Sequence, residues 1–200
     1  MAITISGSGI TSANIADGTI VNADINSSAA IDGSKLTGAG KVLQVVSVSK
    51  ADTYSTTSTS FTDVTGLTAS ITPTSTSSTI LVMLRISYSL GSTHNTGTVL
   101  RLLRGSTVIA GGTASGSRPS ALMRYNLATA GDGFYSLIYS TNDVCTSFLD
   151  SPGSTDSQVY KIQGIVNGSS TLFINRTAYD SDNINYPRTN STITLMEIGA

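Results

Sequence analysis

Residues 79–90 read TILVMLRISYSL and form the most apolar stretch of the chain. Aliphatic and β-branched side chains fill it, and the turn-rich segment 74–78 precedes it, as is typical of a buried strand. The longest uninterrupted apolar run, Ile80–Leu84, is far too short to cross a bilayer, so no membrane insertion is expected. We predict that residues 79–90 form a central strand of a sheet.

Further strands are predicted on both sides of this segment. Turn-forming residues recur roughly every 8–15 residues, and no helical periodicity of useful length occurs. The pattern predicts an all-β fold, an antiparallel jelly-roll-like β-sandwich with its first and last strands in one sheet. The other predicted strands are Lys41–Lys50, Ser55–Val64, Leu67–Ile71, Thr98–Arg104, Thr107–Ala110, Ala121–Asn126, Gly133–Ser140, Asp143–Leu149, Gln158–Asn167, Thr171–Thr177 and Thr192–Ile198.

The composition excludes several classes of function. Charged residues make up 12% of the 200 residues and the net charge is −1, so no nucleic-acid partner is expected. Cys145 is the only cysteine, which rules out an internal disulfide framework and a cysteine-based metal site. We expect this side chain to be a small buried hydrophobe.

The segment before the predicted sandwich carries a five-residue repeat. Residues 10–36 read ITSANIADGTIVNADINSSAAIDGSKL, and a period of five fits neither a helix nor a strand. It contains too little apolar area to fold alone. Three arrangements remain open: three copies meeting on a threefold axis, a short single-chain solenoid of the pentapeptide-repeat kind, or a flexible leader. The large aliphatic residues of the repeat are Ile10, Ile15, Ile20, Ile25, Ile31 and Leu36.

No catalytic or metal site can be assembled from the sequence. His94 is the only histidine, in the loop 91–97, and an exposed loop position is expected for it. Asp180 and Asp182 lie two residues apart, but a pair of carboxylates on so small a domain is weak evidence for a glycosidase. No glycine-rich phosphate-binding motif is present. We therefore expect no enzyme activity, no metal and no cofactor.

Binding is the chemistry that the polar loops favour. Residues 178–190, AYDSDNINYPRTN, form the longest polar loop, in which aromatic rings offer stacking faces for sugars and polar groups can select among hydroxyls. A solvated connector is the alternative interpretation. Loops on a rigid scaffold are where binding residues usually lie. The candidate receptor-binding residues are Tyr179, Asp180, Asp182, Asn183, Tyr186 and Arg188, with His94 and Arg118 in other loops.

Three phrases of the chain resemble a known group of proteins. Residues 14–36 (NIADGTIVNADINSSAAIDGSKL) resemble the repeats that precede the heads of bacteriophage tail fibres, notably in phages of cyanobacteria and other marine bacteria. Residues 42–64 (VLQVVSVSKADTYSTTSTSFTDV) and 191–200 (STITLMEIGA) resemble the opening and closing strands of those heads. The resemblance implies a homotrimer, a shaft or collar leading into a β-sandwich head, and attachment to a host-surface polysaccharide or protein.

The domain organisation expected from the sequence and the resemblance has three parts. Residues 1–9 would dock on other virion proteins of the tail, baseplate or capsid, residues 10–40 would form a short stalk, and residues 41–200 the head. Only about 40 residues precede the head, so the fibre would be short. The threefold axis would be lined by the aliphatic residues of the repeat, with Leu195 and Ile198 of the last strand.

The function expected from these observations is that of a virion structural protein, assembled in the host cytoplasm. The first interpretation is a trimeric tail fibre that binds the host surface through several weak loop sites. The alternatives are a capsid head fibre or decoration (cement) protein, a monomeric carbohydrate-binding module, and an enzyme that cleaves capsular polysaccharide.

Overall fold

A computed structural model describes residues 42–91, 96–127 and 138–199 of the chain. The predicted docking segment and stalk, residues 1–40, lie outside the described residues, as do Ile10, Ile15, Ile20, Ile25, Ile31 and Leu36. The strands are β1 (Val42–Lys50), β2 (Tyr54–Thr56), β3 (Thr62–Ile71), β4 (Thr79–Gly91), β5 (Thr96–Arg104), β6 (Thr107–Ile109), β7 (Met123–Leu127), β8 (Asn142–Asp150), β9 (Gln158–Asn167), β10 (Thr171–Ile174) and β11 (Ser191–Ile198).

The strand order is that of a jelly roll. In the first sheet β1, β11, β4 and β8 lie side by side, and in the second sheet β3, β9, β5 and β7 do so. Among these eight strands the first pairs with the last, the second with the seventh, the third with the sixth and the fourth with the fifth, all antiparallel. This nested pairing is a long hairpin folded into two sheets. The predicted antiparallel jelly-roll-like sandwich is confirmed.

The core lies between the two sheets and follows the period-two alternation of the strands. On β4, alternate residues from Ile80 to Tyr88 point inward and are at most 5% exposed. β4 has neighbours on both sides, which confirms the central strand predicted for residues 79–90. The second sheet supplies the facing layer with Val64, Leu67, Ile71, Leu100, Leu102, Tyr160, Ile162 and Val166.

The structure corrects several predicted strand boundaries. The chain does not form one strand over Ser55–Val64, because Tyr54–Thr56 belongs to the first sheet and Thr62 onward to the second. It also continues from Thr62 through to Ile71 without a break, since a bulge with Gly66 at φ 85° lets the strand resume its pairing with β9. Of the strand predicted at Gly133–Ser140, residues 133–137 lie outside the described part and 138–140 are not in a strand.

The outer face of the first sheet carries an apolar row that crosses four strands. Val45, Met196, Leu81 and Leu149 stand opposite one another in the registers of β1, β11, β4 and β8. The two ends of the row, Val45 and Leu149, are 54% and 56% exposed. We call these four residues the outer apolar row. The next row holds only hydroxyls and Met83, so the middle of this face bears no charge.

Two residues lie on the opposite side of the sheet from the one predicted. Leu195 is fully buried in the core of a single chain, so it has no surface left for a threefold contact and its assignment to the trimer axis is wrong. Cys145 is exposed, because the side chains of β8 that reach the core are those of neighbours such as Val144. The prediction of a buried cysteine is therefore also wrong. Ile198 is half-buried and points to the outer face, since its neighbour Glu197 points inward. Its role at the trimer axis stays a prediction.

A buried carboxylate joins the edge strand β1 to β11. Glu197 is fully buried and accepts hydrogen bonds from Gln44 Nε2 at 2.6 Å, from Thr74 N at 2.6 Å and from Thr74 Oγ1 at 2.7 Å. Burial opposes ionisation, but these donors outweigh it and lower the pKa of Glu197 from 4.5 to about 2. The ionised form therefore holds the end of β11 against the loop that follows β3.

Acid is expected to weaken the fold through this carboxylate. Because the folded-state pKa is the lower one, its contribution is complete above about pH 4.5 and is lost as the pH falls toward 2. We expect wild type to lose about 2–3 kcal/mol more than Glu197→Gln between pH 6 and pH 2.5. Urea unfolding at the two pH values measures this, with the exposed Asp182→Asn as control. Equal losses in wild type and Glu197→Gln would contradict the assignment.

Candidate functional site

The predicted binding loop leaves the sandwich and returns to it at one buried point. Its base is Asn175, which is fully buried with φ at 64°. The Asn175 amide donates to Lys50 O at 2.7 Å and Asp52 O at 2.9 Å, and Ser191 Oγ donates to Asn175 Oδ1 at 2.6 Å. Thr189 N donates to Asn175 O at 3.2 Å, which closes the loop. We call residues 176–190 the tyrosine loop.

A cluster of charges fixes the shape of the tyrosine loop. Asp180 pairs with Arg176, whose guanidinium carbon lies 4.1 Å from the centre of the Phe173 ring. Arg188 reaches the same carboxylate from the far end of the loop, at 2.9 and 3.0 Å to its two oxygens. Desolvation opposes ionisation of Asp180, but the two guanidiniums prevail and hold its pKa below the ordinary value. The charges therefore brace the loop, and Asp180 and Arg188 are less free for a ligand than predicted.

Three tyrosine rings meet beside this charge cluster. Tyr179 and Tyr186 have ring centroids 5.1 Å apart, and Tyr139 lies 5.4 Å from the first and 5.8 Å from the second. Tyr179 N also donates to Ile138 O at 3.0 Å, which ties the loop to the segment before β8. Tyr179 is 50% exposed. Two edge-to-face contacts and one tilted contact hold the rings in place, with Tyr179 on the solvent side.

The tip of the tyrosine loop carries an exposed aliphatic side chain. Ile184 is 95% exposed, within a turn in which Asn185 N donates to Asn183 Oδ1 at 2.9 Å and Tyr186 N to Asn183 O at 3.0 Å. Asn183 therefore holds the turn and has less capacity for a ligand than predicted. Asp182 is exposed beside it. An apolar tip next to an aromatic cluster and free carboxylate is a surface suited to ring-shaped polar ligands.

The other predicted site residues are not part of this cluster. His94 lies outside the described residues. Arg118 lies in a turn after β6, at a groove on the outer face of the second sheet, where it bonds to Ser115. Tyr139 and Arg176, which complete the cluster, were not predicted, because residue 139 lies about 40 positions before the loop and no local pattern marks it.

Neither a metal-binding cluster nor a membrane-spanning helix occurs in the described part of the chain. No group of three or more histidine, cysteine, aspartate or glutamate side chains is placed there to hold a metal ion. No helix among the described residues is long and apolar enough to span a membrane.

Comparisons with known proteins add little to this geometry. No protein-family model and no curated protein sequence matches the chain. Among solved structures, the structure of infectious bursal disease virus strain Gx matches 78% of this chain with 14% identity and a TM-score of 0.34. The VP2 subviral particle of the same virus also matches 78%, with 13% identity and a TM-score of 0.32. The chain spans 40% of the length of each, and similarity this weak carries no argument about function.

Proposed function

We propose that this chain is a structural protein of a virus particle, a homotrimeric short tail fibre of a bacteriophage that attaches to the host surface without catalysis. The observation that carries the attachment role is the tyrosine loop. Three ring-packed tyrosines and an exposed isoleucine are held on a rigid base by Asn175 and by two arginine–carboxylate pairs. A preorganised aromatic surface loses little conformational freedom when it binds.

The trimer is supported by the outer face of the first sheet. A row of apolar side chains with no charge in the middle of the face has nothing to cover it within the described chain. Exposed apolar surface of this kind marks interaction sites. With copies joined there, each particle would present several tyrosine loops, and weak binding at each loop would add up to firm attachment. Val42 and Leu43 at the start of β1 are also exposed.

Substitutions at the loop are expected to weaken attachment without weakening the fold. Binding of labelled full-length protein to a panel of marine bacterial cells measures attachment. We expect Tyr179→Ala and Ile184→Ser to lower bound protein about tenfold or more, since truncation of a central contact costs about 1.4 kcal/mol or more and a trimer multiplies the loss. Val159→Ser, an exposed aliphatic residue of the second sheet, is the matched control and should bind as wild type.

A second measurement separates the tail fibre from its closest alternative. Gold-labelled antibody against the chain should mark the tail of phage particles in electron micrographs. Label confined to the capsid would contradict the tail-fibre assignment and would instead indicate a capsid decoration protein. Undiminished cell binding by Tyr179→Ala would contradict the tyrosine loop as the attachment site in either case.

A further inference from the structure

We propose that a groove on the outer face of the second sheet is a separate binding site for a negatively charged sugar unit, one bearing a carboxylate or a sulfate. The groove has a volume of about 560 Å³. That volume falls within the range of sites for small ligands. We call it the arginine groove, after Arg118 and Arg124, which line it together with Phe61, Val99, Pro119 and Ile165.

The charges of the arginine groove are the first argument. The other arginines of the chain are neutralised or occupied: Arg85, Arg104, Arg176 and Arg188 pair with carboxylates, and Arg101 bonds to Gln163. Arg101, Arg118 and Arg124 have no carboxylate partner among the described residues, and the last two line this one groove. No acidic side chain lines it. Two uncompensated guanidiniums in one concave site favour an anion.

The two guanidiniums differ in a useful way. Arg118 is held by its own turn, with Nε 3.2 Å from Ser115 O and Nη2 3.0 Å from Ser115 Oγ, while the backbones of the two residues bond to each other at 3.1 Å in both directions. Its position is therefore set before any ligand arrives. Arg124 is exposed on β7 and has no hydrogen-bond or ion-pair partner among the described residues, so its donors are available.

The apolar walls distinguish a sugar from a bare anion. Val99 and Ile165 project from neighbouring strands β5 and β9 to form the floor, with Pro119 at the rim. Phe61 stands at one side, its ring covered on one face by the Arg101 guanidinium 3.7 Å from the ring centre. Inorganic sulfate is too small and polar to cover this apolar surface, which would stay in contact with water. A charged sugar places its ring C–H faces on the walls and its anionic group on the arginines.

Titration calorimetry with defined oligosaccharides tests this inference on the full-length protein at low salt. The probes are a galacturonic acid tetrasaccharide, a sulfated heparin tetrasaccharide, the neutral maltotetraose and inorganic sulfate. We expect at least one acidic tetrasaccharide to bind at least about tenfold more tightly than maltotetraose, and binding to weaken as salt rises. Arg124→Gln and Arg118→Gln should each reduce its affinity about tenfold, since each removes a charge-assisted contact. Arg85→Gln, whose charge is already paired with Asp143, should leave it unchanged.

The outcomes separate this site from the tyrosine loop. Equal affinity for acidic and neutral tetrasaccharides, or no binding of either acidic one, would overturn the inference. Acidic binding lost in Tyr179→Ala but kept in Arg124→Gln would place the anion site on the tyrosine loop, and would also overturn it. If inorganic sulfate bound as tightly as the best tetrasaccharide, the claim that the groove recognises a sugar would be contradicted. No host cell enters this titration, so failure to bind cells would count against the proposed attachment function alone.

Discussion

Replacing Asn175 with alanine is expected to lower the free energy of unfolding by about 3–5 kcal/mol. The substitution removes two donated bonds and one accepted bond at a fully buried point, leaving Lys50 O, Asp52 O and Ser191 Oγ without that partner. Alanine also adopts the left-handed backbone conformation at φ 64° less readily than asparagine does. Urea unfolding at a fixed protein concentration measures the loss.

A second variant at the same position separates the two causes. Asn175→Gly loses the same side-chain bonds but accepts the left-handed backbone, so it should be more stable than Asn175→Ala by about 1 kcal/mol. Asn190→Ala, at the exposed end of the loop, is the control and should cost less than about 1 kcal/mol. A loss below about 1 kcal/mol in Asn175→Ala would contradict the view that this residue anchors the loop. Loop residues such as Tyr179 should become accessible to protease before the core does in Asn175→Ala.

Replacing Leu149 with aspartate is expected to separate the copies and leave each one folded. Leu149 is 56% exposed in a single chain, so a carboxylate there stays hydrated in the monomer. In an assembly that covers the outer apolar row, the same carboxylate would be buried without a partner, at a cost of several kcal/mol per copy. Sedimentation should show a mass near the 20.6 kDa of one chain, with an unchanged β-type circular dichroism spectrum.

The control for this variant is Val159→Asp, which puts the same charge on an exposed aliphatic position of the second sheet. We expect it to sediment as wild type does. A Leu149→Asp protein with the wild-type mass would remove the outer apolar row from the interface. The aliphatic repeat at residues 10–36 would then be the remaining candidate for the contact between copies.

The fold was predictable because period-two alternation survives in almost every strand. The predicted bounds of Gln158–Asn167 match β9 residue for residue, and the central position of residues 79–90 followed from their apolar content. Boundaries failed where the chain leaves one sheet for the other near residues 57–61, or bends within one strand at Gly66. A glycine in a strand pattern marks a bulge as readily as a turn, and the sequence does not separate the two.

The side of the sheet was harder to predict than the strand itself. In β11 both faces carry apolar residues, with Leu195 pointing inward and Met196 outward. Hydrophobicity alone therefore does not decide which residues of this strand face the core. The prediction for Cys145 failed for a different reason, because it rested on the residue type, whereas the alternation of β8 puts Cys145 on the exposed side with Asp143 and Ser147. The apolar outer side of β11 is part of the feature from which we infer a contact between copies.

The tyrosine loop was chosen as a candidate site from its composition, but its construction was not predictable. Tyr179 and Tyr186 were correctly grouped because they are close in sequence, whereas Tyr139 joins them only through the fold. Asp180 was expected to meet a ligand, yet it is engaged by two arginines, one of which precedes the predicted loop. Which of the nearby arginines reach Asp180 depends on how the loop folds. Arg124 likewise gave no signal within its predicted strand.

The mass of the full-length chain in solution tests the central claim most directly. Light scattering coupled to size exclusion, at a few micromolar protein and physiological salt, should show one species of about three times 20.6 kDa, because three copies would cover the outer apolar row. A single species of 20.6 kDa at that concentration would contradict the trimeric fibre, and a monomeric sugar-binding module would take its place.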